Sequence, residues 1–202
     1  MKQQRTPVGN TLRKAFEKHL ETWLGSVAAR YTGRDSEGQD LPWEVLEFPR
    51  QPWRGATTYA TVGLGETPFA DTDGEDLRHE LLFEVGEYFA GEETIFLVFH
   101  VAEMLRRHGR VISLGSYMDL EGPISTGASV EGFFFYDPIH FADELTVAEI
   151  GDPPTVIVWM VPITRSEIEF LERRGPEAFD DLMAEQDPDV FDLSRPSLEL
   201  PG

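Results

Sequence analysis

The segment Thr155–Arg174 (TVIVWMVPITRSEIEFLERR) constrains the fold more than any other part of this chain. Val156 to Val161 is apolar at every position, which is typical of a strand covered on both faces of a sheet. Pro162 lacks the backbone N–H that a continuing strand would use, so we expect the strand to end there. The pattern therefore predicts a central, buried strand.

A helix is predicted directly after that strand. Thr164 and Glu167 have the three-residue spacing of a capping box, in which each side chain bonds to the other residue's backbone N–H. Ile163 and Ile168 occupy the positions of a hydrophobic staple. Several independent signals thus specify this junction, and none of them is a catalytic group.

The chain is strongly acidic, with a formal charge of -20 from 37 acidic and 17 basic residues. The basic residues cluster early, and Lys18 is the last lysine. An acidic field repels nucleic acid, whereas it attracts a basic protein and accelerates the encounter. We therefore expect a protein partner and no nucleic acid; the alternative is that the acidity serves solubility alone.

Length, cysteine content and hydropathy restrict the class of protein further. A chain of 202 residues is long enough for one domain with a sizeable core, and we expect residues 1–202 to form it, with the core at about 40–186. Cysteine is absent, which excludes disulfides, thiolate metal sites and a thiol nucleophile. No segment approaches the ~20 apolar residues of a membrane span, and we see no signal segment, so we expect a cytoplasmic protein without membrane contact.

Three segments carry helical signals. Residues 10–24 have the apolar spacing of an amphipathic helix that a following glycine ends. Glu92–His108 has acidic residues first, basic residues last and a glycine beyond, which favours a buried helix although Ile95–Val101 alone would suit a strand. A short helix begins at Pro176, and we expect the acidic tail 187–202 to pack as coil or to be partly disordered.

Further strand signals occur between residues 43 and 136, and two polar loops are predicted at 32–40 and 66–76. We expect the third strand to be covered on one face only, and the phenylalanines at 133–135 to divide between two covered faces. Because strands and helices do not alternate strictly, the pattern indicates an α+β fold. The predicted strands are Trp43–Phe48, Thr57–Leu64, Arg78–Phe89, Val111–Leu114 and Val130–Tyr136.

The sequence contains no complete catalytic or metal-binding motif. The glycines of Gly63–Gly65 follow a strand, but Pro68 stands where a dinucleotide fingerprint has its third glycine, so we interpret them as a turn. The five histidines lack the helical spacing of a metal pair, and we expect no metal and no cofactor. One enzymatic alternative is a hydrolase that uses His79, Glu80 and His140 as general base and carboxylate.

The predicted partner-binding surface lies at a proline-rich corner and the acidic loop that follows the second strand. Trp43 and Trp53 flank this corner, where indole rings often stay partly exposed. The residues that we assign to the surface are Trp43, Trp53, Arg54, Glu66, Asp71, Asp73, Glu75 and Asp76.

Three sequence blocks resemble the suppressor of fused-like domain family and occur in the family's order. They are TTYATVGL (57–64), HELLFEV (79–85) and VPITRSE (161–167), and together with their flanks they span about Trp43 to Glu185. The resemblance implies an α+β fold with a mixed, mostly antiparallel sheet flanked by helices.

The resemblance also implies protein binding without catalysis. The eukaryotic member of the family sequesters a transcription factor, while bacterial single-domain relatives resemble immunity proteins that neutralise the toxins of contact-dependent competition systems. We expect no second domain of the eukaryotic type, and hence the bacterial role, with a basic toxin such as a nuclease as the partner. An oligomeric scaffold is the other alternative, and the oligomeric state stays open between monomer and dimer.

Overall fold

Strand β9 (Thr155–Thr164) lies inside a mixed sheet, between a parallel and an antiparallel neighbour. The computed structural model describes residues 7–70, 76–109 and 111–201. The other strands are β1 (Ala29–Arg34), β2 (Asp40–Pro49), β3 (Ala56–Val62), β4 (Phe69–Ala70), β5 (Asp76–Gly86), β6 (Tyr117–Asp119), β7 (Val130–Tyr136) and β8 (Val147–Ala148). The helices are α1 (Pro7–Leu24), α2 (Glu92–His108), α3 (Asp143–Thr146), α4 (Arg165–Arg174) and α5 (Pro176–Gln186), and a 3-10 turn covers Leu64–Glu66.

The strand order in the described residues is β1-β2-β3-β5-β9-β7-β6, with β4 added beside β5 and β8 beside β9. The β5–β9 pairing is parallel, and the other pairings between described strands are antiparallel. This confirms the predicted α+β fold with a mixed, mostly antiparallel sheet. No helix in the described ranges is long and apolar enough to cross a bilayer.

Two apolar cores lie on opposite faces of the sheet. Helices α1, α4 and α5 cover one face, and α2 covers the other. Phe133 and Phe135 point to the α2 side while Phe134 points to the opposite side, as the alternation along a strand predicts. Leu81 and Leu82 of β5 also lie in different cores, so the expectation that this strand is covered on one face only is wrong.

The junction of β9 and α4 has the predicted cap. The Glu167 backbone N–H donates to Thr164 Oγ1 at 3.4 Å, and the Thr164 N–H donates to Glu167 Oε2 at 2.8 Å. Ile163 and Ile168 are buried in the same core, as a hydrophobic staple requires. Both parts of this prediction are confirmed.

The predicted end of that strand at Pro162 is wrong, because β9 continues to Thr164. The Pro162 carbonyl accepts a hydrogen bond from Arg195 Nη2 at 3.0 Å, rather than from a neighbouring strand. The N–H and C=O of one residue point to the same side of a strand, so the missing proline N–H also faces that side and β7 loses no bond. The ladder with β7 therefore passes through this position, where Pro162 lies opposite Phe133.

Other differences come from pairing between distant segments. Part of the predicted loop 32–40 belongs to β1, an edge strand whose polar residues gain order from antiparallel pairing with β2. The predicted strand Val111–Leu114 is irregular, because a turn closed by the Ser116 N–H and the Ser113 carbonyl delays pairing until β6. The predicted loop 66–76 contains β4, and its residues 71–75 lie outside the described ranges.

The C-terminal segment after α5 packs as coil against the sheet, which was one of the two predicted outcomes. Val190, Phe191, Leu193 and Leu198 are buried, and they extend both cores. The Phe191 carbonyl accepts a hydrogen bond from the N–H of Gly86, at the end of β5, at 2.9 Å. This segment therefore helps to shape one end of the sheet.

Candidate partner-binding site

The two tryptophans that flank the proline-rich corner have opposite environments. Trp43 is buried, with 4% of its surface exposed, and packs in the α2-side core. The expectation that it stays partly exposed is therefore wrong, because its side of β2 faces the core. Trp53 lies in the corner between β2 and β3 and is 46% exposed. Only the second tryptophan is accessible to a partner.

Backbone hydrogen bonds hold the corner that carries Trp53. The Arg50 N–H donates to the Ala56 carbonyl at 2.7 Å, and the Ala56 N–H donates to the Trp53 carbonyl at 3.1 Å. Thr58 Oγ1 donates to the Gln51 carbonyl at 3.0 Å. The exposed indole is thus presented from a closed turn rather than from an extended loop.

A cleft of about 500 Å³ opens beside Trp53, and we call it the Trp53 cleft. Three chain segments form it: the corner after β2, the end of β5 with the residues that follow it, and the C-terminal segment. The Glu87 N–H donates to the Gly55 carbonyl at 2.9 Å, which joins the first two segments, and the Gly86–Phe191 bond joins the second to the third. The lining residues are Trp53, Gly55, Gly86, Glu87, Tyr88, Phe89, Asp189, Phe191, Asp192 and Ser194.

Aromatic side chains dominate the floor and rim of the cleft. The rings of Trp53 and Phe191 pack with centroids 3.9 Å apart. Tyr88, which also lines the cleft, is 90% exposed, and the His140 ring contacts the Trp53 ring edge-on. Large exposed apolar side chains around a concave surface are typical of protein interaction sites.

A buried carboxylate holds a histidine ring that contacts Trp53. Glu84 is 1% exposed, and its Oε2 lies 2.7 Å from His140 Nδ1. Burial raises the pKa of Glu84, and the hydrogen bond from His140 opposes this rise. The His140 ring also contacts Trp159 and Phe191, with centroids 4.8 and 5.1 Å away. The carboxylate therefore fixes the imidazole against which Trp53 rests.

The other predicted partner-binding residues do not line this cleft. Arg54 is exposed next to Trp53 in the chain, and Asp76 is exposed at the start of β5. Glu66 lies at the opposite end of β3 from Trp53, where it forms an ion pair with Arg13 at 3.0 Å. Their roles in binding stay predictions. Asp71, Asp73 and Glu75 lie outside the described residues.

The three residues of the hydrolase alternative are not brought together. His79 and Glu80 are consecutive in β5 and point to opposite faces: His79 contacts Phe69 in the α2-side core, while Glu80 lies on the α1 side. His140 bonds to Glu84, which is four residues beyond Glu80 and hence ~13 Å further along the strand. This constellation therefore cannot act as one site.

Glu80 instead closes the glycine turn. Its carboxylate accepts bonds from the backbone N–H groups of Gly63, Leu64 and Gly65 at 2.8, 3.2 and 3.0 Å, and from Thr61 Oγ1 at 2.6 Å. Burial raises the pKa of Glu80, and these four donors oppose the rise. The predicted turn is confirmed, and an internal carboxylate fills its nest of N–H groups.

Within the described residues, no group of three or more histidine, aspartate or glutamate side chains could hold a metal ion. The arrangement at the Trp53 cleft offers shape, aromatic surface and negative charge. These are properties of a recognition site for another molecule.

Comparisons with known proteins agree with this architecture. The family model described as Suppressor of fused protein (SUFU) matches residues 39–196 of the chain. Immunity protein YqcF of Bacillus subtilis (strain 168) is 22% identical over 164 residues, which cover 77% of this chain and 81% of that protein.

Solved structures share the fold. A putative suppressor of fused homologue from Neisseria gonorrhoeae FA 1090 has a TM-score of 0.70 at 17% identity, with 96% of this chain and 98% of that chain covered. The Sufu-Fu complex has a TM-score of 0.64 at 10% identity, and the match covers 98% of this chain and 93% of that chain. Drosophila Suppressor of Fused gives 0.61 at 10% identity, and the match covers 89% of this chain and 47% of that protein.

Proposed function

This chain belongs to the suppressor of fused protein family, and we propose that it acts in the cytoplasm as a non-catalytic protein-binding domain, an immunity protein that neutralises a basic toxin. The observation that carries this proposal is the similarity to Immunity protein YqcF, which extends over about four fifths of both chains. The name of the Sufu-Fu complex also describes a family member bound to another protein.

The charge of the chain supports the same role. A toxin that acts on nucleic acid needs basic groups to bind phosphates, and a chain of charge -20 attracts such groups at long range. Such attraction raises the association rate, which an inhibitor needs if it is to bind the toxin before damage occurs. The acidity is then a functional property as well as a solubility property.

The Trp53 cleft supplies the short-range part of the proposed interaction. Tryptophan and tyrosine are the residues that most often dominate binding energy at protein interfaces, and their contribution depends on exclusion of water. Trp53 and Tyr88 are both accessible beside a concave surface. We propose that the toxin docks there and that inhibition results from occupation of its surface, so that no chemical step is required.

Co-expression with the protein encoded by the neighbouring gene tests this function. If that protein is a toxin, cells that also express this chain should grow, and the two proteins should co-purify. Inhibition of the purified toxin should reach completion at about one molecule of this chain per toxin. Inhibition by a small fraction of an equivalent would instead indicate an enzyme, and a neighbouring metabolic gene with no retained protein would contradict the proposal.

A further inference from the structure

We infer that the Trp53 cleft binds an arginine side chain of the protein partner. This inference rests on the proposed function, since it names the group that an immunity-type interaction would recognise. It follows from the combination of aromatic surface and carboxylates in one preformed cleft, which neither the charge of the chain nor the family membership specifies.

The charged residues that line the cleft are all acidic. They are Glu87, Asp189 and Asp192, and no lysine or arginine lies among the lining residues, all of which are described. Asp189 and Asp192 each use Oδ1 to accept a backbone N–H, from Phe191 at 3.1 Å and from Ser194 at 2.8 Å. These bonds orient both carboxylates, of which Asp189 is exposed and Asp192 half-buried. Glu87 is exposed, and its side chain forms no hydrogen bond or ion pair with the described residues.

The aromatic residues complement the flat face of a guanidinium group. Trp53 packs against Phe191 and leaves nearly half of its surface open, and Tyr88 stands on the rim. A cation over an indole ring gains electrostatic energy from the ring's quadrupole, and arginine does so more often than lysine. An apolar side chain could pack on the rings, but it would remove the carboxylates from water without pairing their charge. Burial of an unpaired charge is unfavourable.

Arginine fits better than lysine because of its geometry. The guanidinium group is planar, stacks on aromatic faces and donates several N–H groups in a fixed fork, so it can contact the ring and two carboxylates at once. An ammonium group is compact and more strongly hydrated, and it cannot stack. The cleft therefore distinguishes the two cations by shape.

The cleft is organised before the partner binds. Hydrogen bonds between backbone groups join its three segments. An added Cβ at Gly86 would lie 3.3 Å from the Phe191 carbonyl oxygen, so these two segments are in close contact. A rigid site loses little conformational entropy on binding, which favours affinity. The hydrogen bond between Glu84 and His140 likewise fixes the imidazole ring that contacts Trp53.

Nuclear magnetic resonance titration with short blocked peptides tests this inference. The probes are three tripeptides with a central arginine, lysine or citrulline, since citrulline has the shape of arginine without its charge. We expect the arginine peptide to shift the Trp53 indole N–H and the backbone signals of Gly55, Glu87 and Tyr88, with saturation. The lysine peptide should bind several-fold more weakly, and the citrulline peptide should give no saturable shift.

Two variants and one control locate the site. Trp53→Ala and Glu87→Gln should each weaken binding of the arginine peptide several-fold, whereas Glu37→Gln, at an exposed acid of the β1–β2 turn, should not. Because Glu87→Gln removes no internal contact, it stays interpretable if Trp53→Ala perturbs folding. The inference would be overturned if the arginine and lysine peptides caused equal shifts over the whole acidic surface and neither variant changed those shifts.

The same variants separate this inference from the proposed function. A toxin that is bound equally well by the parent, Trp53→Ala and Glu87→Gln chains would overturn the arginine site while the immunity role stands. Saturable arginine binding at the cleft with no toxin partner would support the site and contradict the function.

Discussion

Arg195 and Glu167 form a buried ion pair with two parallel hydrogen bonds, from Nη1 to Oε1 and from Nη2 to Oε2, both 2.7 Å long. Their side chains are 2% and 0% exposed. The same carboxylate accepts the N–H of Thr164 in the capping box and the N–H of Leu198 at 2.9 Å. One glutamate thus joins the start of α4 to the C-terminal segment, and it thereby holds the part of the chain that forms one wall of the Trp53 cleft.

Substitution Arg195→Met should destabilise the protein by about 3 kcal/mol or more, because it leaves a buried carboxylate without its counter-charge. The matched control is Arg34→Met, which removes an exposed ion pair with Asp40 and should cost less than about 1 kcal/mol. Chemical denaturation measures both values. If the free energy of unfolding falls by similar amounts in the two variants, the buried pair does not anchor the C-terminal segment.

His79 should make the protein sensitive to mild acid. Burial and the nearby positive charge of Arg106 lower the pKa of His79 from 6.5 to about 4, and neither ring nitrogen has a hydrogen-bond partner in the described residues. Between pH 6.5 and about 4 the unfolded chain binds a proton at this site that the folded protein does not. Stability should therefore be fully present above pH 6.5 and should fall by about 3 kcal/mol as the pH decreases to about 4.

The variant His79→Leu should abolish this part of the acid sensitivity while retaining contact with Phe69. The free energy of unfolding is measured at pH 7 and pH 4.5 for the parent, for this variant and for His108→Leu, a substitution at an exposed histidine. The His108→Leu variant should still lose most of this free energy of unfolding between pH 7 and pH 4.5. An unchanged loss in His79→Leu would assign the acid sensitivity to other groups.

Gly132 should tolerate no side chain. A Cβ at this position would lie 2.3 Å from the Met118 carbonyl oxygen of the paired strand β6, and a backbone atom cannot move away as a flexible side chain can. We expect Gly132→Ala to cost about 1–3 kcal/mol and to weaken protection of β6 amides from hydrogen exchange. Gly122→Ala, where nothing lies within 4 Å of the added atom, is the matched control and should be neutral. Equal stability of the two variants would contradict the close contact.

Binding to a partner should separate into a charge effect and an anchor effect. Raising the salt concentration should slow association with little change in dissociation, because long-range attraction acts before contact. Trp53→Ala should accelerate dissociation and cost about 2 kcal/mol of binding energy or more. Phe96→Ala, at an aromatic residue of α2 that is 71% exposed, is the control for loss of an aromatic ring. Surface plasmon resonance measures both rates. If the association rate does not depend on salt, the charge serves solubility alone. If Phe96→Ala weakens binding more than Trp53→Ala, the interface lies at α2 instead.

The sequence by itself determined the elements whose signals are local. The cap at Thr164 and Glu167, the glycine that ends α2, and the division of the three phenylalanines between two faces all depend on residues within four positions of one another. Backbone geometry alone then decides the outcome, and the structure confirms these predictions. The family resemblance extended this local information to the correct fold class.

Only the tertiary structure decided which polar and aromatic groups meet. Glu84 and His140 are 56 positions apart, and no local pattern connects them. Tyr88 lies near the end of the predicted strand Arg78–Phe89, whereas the structure has it in a turn closed by the Phe89 N–H and the Gly86 carbonyl. Burial of Trp43 likewise depends on which face of β2 meets α2, whereas Trp53 is exposed in the corner beyond that strand.

The Trp53 cleft shows the physical reason for this difference. Its walls come from residues 53–55, 86–89 and 189–194, which are brought together by strand register and by the return of the C-terminal segment across the sheet. A helix cap or an alternating strand is stabilised by neighbours in the chain, so its residues can be recognised in order. A cleft is stabilised by contacts between distant segments, so its residues become recognisable only when the chain has folded.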